Sequence, residues 1–398
     1  MPGFELFGEK EKAEVQDVLD NGVLMRYGFD GLRNGHWKAK ELEKALAVRM
    51  RTKYAQVVSS GTSALTIALV SAGIGAGDEV IMPTFTFVAS FESILAIGAI
   101  PVLVDVDDTL TLNPEAVNKA ITSKTKVVMP VHMCGSMADL DALKSICEEH
   151  DLLLIEDACQ AIGGSYKGKP LGSIGDLGCF SFDYVKTITC GEGGGIITDS
   201  ENYFKNADHY SDHGHDHVGN DRGAETHPFL GYNFRISELN AAVGCAQIER
   251  LDEFLSIQEK HYSILRHTLS EIPEVTFRRV PEGGVENYSF LNFFLPTEEL
   301  TRKAHKALGE AGVDGCFYWY NNNWHYYRKW EHLIEKNVLG KLPKDVLQGL
   351  PDYTQYDFSA SDYWISRTIS CLIKLSWTEQ ETKERADKMK TVISGLLS

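Results

Sequence analysis

The chain has 398 residues, 39 Lys plus Arg against 56 Asp plus Glu, and a formal net charge of −17. That balance excludes the broad basic surface of a nucleic-acid or anionic-membrane binder, although a few local cations can still hold a small anion. Hydrophobic residues at 43% and charged residues at 24% describe a globular chain that buries a core without disulfide or metal staples. The longest strongly apolar run, 94–104, contains Gly98 and Pro101 and falls short of the about 20 apolar residues of a spanning helix. The N-terminus lacks a basic start and an apolar signal core, which predicts a chain that is not secreted. Eight scattered cysteines without a C-x-x-C pair predict free thiols in a reducing cytoplasm.

From residue 55 to 198 short apolar runs alternate with helical patterns. Strands are predicted at 55–58, 79–82, 101–104, 126–131, 152–155, 179–182 and 195–198. Most are Val, Ile or Leu runs without polar alternation, as expected for strands covered on both faces. Helices are predicted between them at 62–72, 89–97, 114–120 and 137–150, the third opening on Asn113-Pro114, an N-cap followed by proline. Such alternation predicts an α/β domain with a largely parallel sheet. Helices follow at 237–250 and 252–270, the second long enough to link two domains, then strands at 275–279 and 289–295 and a helix at 298–311. An aromatic-rich block covers 316–327, and a terminal helix is predicted at 378–397. The expected division is 1–254, an N-terminal segment with the large domain, and 255–398, a smaller C-terminal α/β domain. The first 45 residues are expected to pack as helices on one of these domains.

Three stretches carry chemistry. Ser59-Ser60-Gly61-Thr62-Ser63 lies between a strand and a helix, where free backbone N–H groups suit a phosphate, or where the chain simply makes a capped turn. Glu156-Asp157 directly follows a buried strand, the end at which open α/β sheets bind ligands. A carboxylate there needs a cationic partner, such as a protonated pyridine nitrogen, unless Asp157 only caps the next helix. Ser181 and Lys186 sit five apart before a glycine-rich turn, Gly191-Glu192-Gly193-Gly194-Gly195. A protected lysine loses its charge readily and can form a Schiff base, although most lysines are solvated surface groups.

In this order the parts resemble the DegT/DnrJ/EryC1/StrS family of sugar aminotransferases, which are pyridoxal-phosphate enzymes of fold-type I. The resemblance covers nearly the whole chain. It rests on Ser60-Gly61-Thr62, Pro83-Thr84-Phe85-Thr86-Phe87, Glu156-Asp157-x-x-Gln160-Ala161, Ser181 with Lys186, Gly191-Glu192-Gly193-Gly194 and Gly231-Tyr232-Asn233-Phe234-Arg235. It implies a large domain with a mostly parallel seven-stranded sheet and a smaller C-terminal α/β domain. It implies pyridoxal 5′-phosphate as cofactor and Lys186 as the Schiff-base lysine and proton carrier. Asp157 would hold the pyridine nitrogen protonated, so that the ring drains electrons. Gln160 would bond the ring hydroxyl, Phe87 would stack on the ring, and Cys159 would lie by its other face. Ser181 with Gly61, Thr62 and Ser63 would hold the phosphate. Asn233 would reach a second subunit's phosphate, which implies a homodimer with shared sites. No metal is implied.

Within the family, residues 211–217, 221–225 and 314–320 together with Arg26-Tyr27 resemble the branch that aminates the free lipopolysaccharide sugar acid Kdo. The implied reaction moves an amino group from L-glutamate to C8 of 8-oxo-Kdo, giving 8-amino-3,8-dideoxy-manno-octulosonate (Kdo8N). Both substrates carry a carboxylate, which arginine binds well. Arg26, Arg222 and Arg235 are the candidates, and each can equally serve a surface or interface ion pair. Tyr27, His213, His215, Tyr318 and Trp319 are the other candidates for the substrate side. The rival acceptor is a nucleotide-linked keto sugar. A histidine in place of Lys186 would mark the family's dehydratases instead. A pyridoxal-phosphate-sensing regulator would carry a basic helix-turn-helix segment, and this chain starts almost directly on the catalytic fold. His213-Gly214-His215-Asp216-His217 is one residue short of the H-x-H-x-D-H pattern of metal-dependent hydrolases, and reads otherwise as a polar loop lining a site or interface.

Overall fold

A computed structural model describes residues 3–218, 223 and 226–397. Its centre is a seven-stranded sheet of β1 (Tyr54–Val58), β2 (Glu79–Pro83), β3 (Ile100–Val104), β4 (Thr125–Val128), β5 (Leu153–Asp157), β6 (Leu177–Ser181) and β7 (Gly194–Thr198). The spatial order is β1-β7-β6-β5-β4-β2-β3. Only β7 runs against its neighbours, pairing antiparallel with both β1 and β6, while β2, β3, β4, β5 and β6 pair in parallel. The strands are buried almost end to end, which explains their unbroken Val, Ile and Leu runs. All seven lie within two residues of the sequence windows at their starts, and the predicted 126–131 stops at Val128 because Pro130 has no N–H for the ladder.

Helices cover both faces. On one side lie α1 (Glu9–Asn21) and α2 (Lys38–Met50), followed along the chain by α3 (Gly61–Ser71), α4 (Ala89–Ala96), α5 (Pro114–Ala120), α6 (Leu140–His150), α7 (Glu201–Ser211), α8 (Glu238–Glu249) and α9 (Leu251–Leu269). The N-terminal helices pack on α8 of the large domain. Helix α7 has no counterpart in the sequence reading. Ser200 caps it by accepting the Tyr203 N–H, a signal that residues 200–203 do carry. Helix α6 starts at Leu140, later than the predicted 137, because the Asp139 side chain accepts the Ala142 N–H and sets the cap there.

Helix α9 bridges two cores. Leu251 and Phe254 belong to the core under α2 and α8, whereas Tyr262, Leu265 and Leu269 belong to a second core with Leu291, Phe293, Ile369 and Met389. That second core lines one face of an antiparallel sheet of Thr276–Phe277, Phe290–Phe294, Thr368–Leu372 and Cys316–Phe317, in that order. Helix α10 (Glu298–Glu310) and the terminal helix Glu379–Leu397 pack against it. The aromatic segment runs from this sheet to the large one, with Trp319 stacking on Phe317 and donating its indole N–H to Ser370. Trp319, Tyr326, Tyr327 and Trp330 join Phe85 and Phe91 in the core above the large sheet. Among the described residues no helix is long and apolar enough to cross a membrane.

Candidate active site

Six of the seven large-sheet strands point one way, so the loops after β1, β2, β5 and β6 emerge on one edge, and the start of β7 meets them there. They enclose a cavity of about 700 Å³. Gly61, Thr62, Phe87, Asp157, Cys159, Gln160, Ser181 and Lys186 all line it, as does Trp319 from the C-terminal part.

The turn after β1 makes an anion cup. Ser60 caps α3 by accepting the Ser63 N–H at 3.0 Å, and Ser63 Oγ returns to the Ser60 N–H at 2.9 Å. The Ser63 side chain is thereby spent on the cap and does not line the cavity. Gly61 and Thr62 lead the helix with their N–H groups towards the cavity wall. A Cβ on Gly61 would come within 2.7 Å of the Ser181 Cβ and 3.2 Å of Cys159 Sγ, so only glycine lets this turn approach Ser181.

Asp157 ends β5 and is 4% exposed. Its Oδ1 accepts the Cys159 N–H at 3.2 Å and its Oδ2 accepts the Ser90 hydroxyl at 2.8 Å. Neighbouring Glu156 points the other way, taking the Gly172, Ile174 and Gly175 N–H groups and pairing with His132 at 2.8 Å. Of the two acids only Asp157 faces the cavity. Gln160 is oriented by its neighbour: its Oε1 accepts the Cys134 N–H at 3.0 Å, which leaves the amide NH₂ as the donor for a ligand. Cys134 holds that position with a φ of 54°. Arg278 fixes the turn by donating to the carbonyls of Met133 (2.9 Å) and Cys134 (2.6 Å). Its own charge is met by Glu286 at 2.6 Å.

Several cavity residues have no counterpart in the sequence reading, among them Phe4, Glu5, Ser90, His325 and Lys374, while Trp324 comes from the aromatic block. Phe87 stacks on Trp324 with centroids 5.5 Å apart and planes at 1°. His325 lies against Trp319 with its Nδ1 3.0 Å from the Asn322 amide oxygen, so Nδ1 carries the proton. Burial, and then Lys186, push the His325 imidazole down to about 3, and it is neutral at ordinary pH. The N-terminus also reaches the site. Gly3 donates its N–H to the Lys186 carbonyl at 2.9 Å, and Phe4 stacks on Tyr184 at 4.1 Å.

The remaining substrate-side candidates gather elsewhere. Tyr318 turns inward and donates its hydroxyl to the Ser366 carbonyl at 3.0 Å. Arg26 is buried against Glu43, and Tyr27 donates to Asp208 at 2.7 Å while stacking on His217 at 4.1 Å. His217 bonds Asp208 through Nδ1 at 2.6 Å and Asp212 through Nε2 at 3.1 Å. Burial opposes its charge, but these two carboxylates raise it to about 9. His215 Nδ1 lies 3.5 Å from Asp212, which also pairs with Arg235. Asp212, His215 and His217 thus bring ligand atoms within 4.8 Å of one another, a grouping not anticipated from the sequence. Arg235 and the protonated His217 already balance the acids there. His213 and Asn233 are exposed, Asn233 bridging back to Asp212, and Arg222 lies outside the described residues.

A buried carboxylate, an amide donor, a lysine and a glycine-serine anion cup on one wall fit an aromatic, phosphorylated aldehyde. This is the site of a pyridoxal-phosphate aminotransferase on a fold-type I framework. The chain belongs to the DegT/DnrJ/EryC1/StrS aminotransferase family, whose model matches residues 6–341, and its cofactor is pyridoxal 5′-phosphate. It is 43% identical to the GDP-perosamine synthase of Caulobacter vibrioides over 55% of this chain and 58% of that one. It is 36% identical to the 3-amino-5-hydroxybenzoate synthase of Amycolatopsis mediterranei, over 78% of this chain and 79% of that protein. The structure superposes on an aminotransferase from Psychrobacter cryohalolentis with a TM-score of 0.86, at 26% identity and 98% coverage of both chains.

Proposed function

We propose that this sugar aminotransferase moves the amino group of L-glutamate to C8 of 8-oxo-Kdo, giving Kdo8N for lipopolysaccharide. The convergence of Lys186, Asp157, Gln160, Ser181 and the Gly61-Thr62 turn on one cavity supports the transamination chemistry. Bound pyridoxal phosphate supplies an aldehyde that takes up the amine and a protonated ring that draws electrons from the donor's α-carbon. Lys186 Nζ binds the cofactor and then carries the proton from that carbon. Asp157 holds the proton on the ring nitrogen, and the Gln160 NH₂ donates to the ring hydroxyl. Phe87 would stack on the ring, and Cys159 would lie by its other face. The Gly61 and Thr62 N–H groups and the Ser181 hydroxyl hold the phosphate.

The acceptor reading rests on the resemblance of residues 211–217 and 314–320 to the Kdo branch. It also rests on the cavity's charges. Among the described residues its lining carries Lys186 and Lys374 as cations and no arginine, and Lys374 is paired with Asp314. A second carboxylate group therefore needs a cation from outside this chain's cavity. In the proposed homodimer that cation comes from the second copy, whose exposed Asn233 loop would make the phosphate contact, Arg235 being already paired with Asp212. A second reading is a GDP-linked keto sugar, because two relatives are GDP-perosamine synthases. The experiment is direct. The absorption spectrum of the purified holoenzyme is recorded before and after L-glutamate, and the aminated enzyme is then offered 8-oxo-Kdo and a GDP-linked keto sugar. Return of the original spectrum with 8-oxo-Kdo alone is expected, and return with the GDP sugar alone would replace the acceptor.

A further inference from the structure

Asp157 does not stand alone at the cavity floor. The Ser90 hydroxyl lies 2.8 Å from its Oδ2, and the Thr86 hydroxyl lies 2.6 Å from that of Ser90. An ionised carboxylate only accepts, so the single Ser90 proton goes to Asp157 and the Ser90 oxygen must accept from Thr86. Among the described residues the only other acceptor bonded by the Thr86 hydroxyl is the Phe87 carbonyl at 3.4 Å, a poor one. The direction of the chain is therefore fixed, from Thr86 to Ser90 to Asp157. Hydroxyls in series polarise one another, and the last bond is to a charge.

The chain is also rigid. Thr86 is fully buried and Ser90 is 1% exposed. The Thr86 N–H donates to the His325 carbonyl at 3.0 Å, and the Val88 N–H to the Trp324 carbonyl at 2.9 Å. The turn between β2 and α4 is thus gripped by the aromatic segment that forms the opposite wall of the cavity.

We propose that Ser90, backed by Thr86, is a positioning residue that sets the rotamer of the Asp157 carboxylate towards the cofactor's ring nitrogen. The proposal rests on the reading of Asp157 as the partner of that nitrogen. Ser90 touches one carboxylate oxygen and the Cys159 N–H the other, so each oxygen has one fixed direction left for a ligand. Without Ser90 the carboxylate rotates about the Cα–Cβ and Cβ–Cγ bonds, and the ring loses an aligned partner.

The test compares holoenzymes of Ser90→Ala, Ser90→Thr, Thr86→Val and Asp157→Asn. Ser90→Ala is expected to shift the visible absorption maximum of bound pyridoxal phosphate, to speed cofactor release, and to lower kcat about tenfold with KM for glutamate within about twofold. Ser90→Thr, which keeps the hydroxyl, is expected to restore the spectrum and turnover, and Thr86→Val to shift both in the same sense by less. An unchanged spectrum and kcat in Ser90→Ala would overturn the proposal. So would a Ser90→Thr variant as impaired as Ser90→Ala, since the loss would then be one of packing. Asp157→Asn separates the two readings. If it leaves the spectrum unaltered, the assignment of Asp157 itself fails. If it alters the spectrum while Ser90→Ala does not, only the positioning role fails.

Discussion

Lys186, the proposed Schiff-base lysine, sits in the loop after β6 with its carbonyl tied to Gly3. Lys186→Ala should abolish turnover while pyridoxal phosphate still binds without a covalent link. Borohydride trapping and a glutamate half-reaction check this, and measurable full turnover would refute the assignment. Gly61, Thr62, Asp157, Ser181 and Lys186 were legible in the sequence because each lies shortly beyond the end of a β-strand or at its last residue, where an open sheet presents ligands. Ser63 shows the limit of that logic. It stands in the motif, but its side chain closes the α3 cap. Phe4, His325 and Lys374 were not legible, because they enter the cavity from distant parts of the chain and no local pattern marks them. Ser90 left a faint trace: it lies three residues after Phe87, about one helical turn along α4.

At the scale of elements, two clusters hold loops in place, one beside the cavity and one away from it. Arg278 is 4% exposed and joins the Met133–Cys134 turn, which aims Gln160, to Glu286 and, through it, Tyr262 on α9. Arg278→Met strands Glu286 without its cation, so about 3–5 kcal/mol of stability should be lost. Denaturant titration measures it, and a loss under about 1 kcal/mol would show that Glu286 finds another partner. The second cluster ties the end of α7 to the segment after it through Asp208, His217 and Asp212. The folded-state pKa of His217 is raised to about 9, so its protonation favours the folded loop. That stabilisation is complete below the unfolded value of about 6.5 and is lost as pH rises through about 9. Hydrogen exchange of residues 208–217 should therefore quicken beyond the intrinsic rate as pH rises from about 6.5 to about 9, and His217→Gln should remove the dependence.

The whole molecule followed from hydrophobic pattern more closely than its details did. Unbroken apolar runs located the seven strands, because each is covered on both faces. The reversed direction of β7 was invisible, since burial alone does not encode polarity. The two-residue strand Cys316–Phe317 was equally hidden, being too short to carry a period, whereas Thr276–Phe277 lies inside the predicted strand 275–279. The proposed pairing of two copies is tested at this scale. Asn233→Ala should weaken cofactor retention, and mixing it with Lys186→Ala should restore part of the activity through hybrid dimers that own one intact site. Two inactive parents that stay inactive on mixing would count against a shared site.

Gly3 has a practical consequence. A Cβ there would fall 2.1 Å from Gln247 Oε1 and 2.6 Å from the Thr187 carbonyl, so the first turn is wedged where nothing larger fits. Its N–H hangs on the carbonyl of Lys186 itself. A purification tag fused to this end should therefore disturb the Lys186 loop more than one fused beyond Leu397, at the end of a helix packed on α9 and α10. Activity compared between the two placements is a measurement of how firmly that loop is moored.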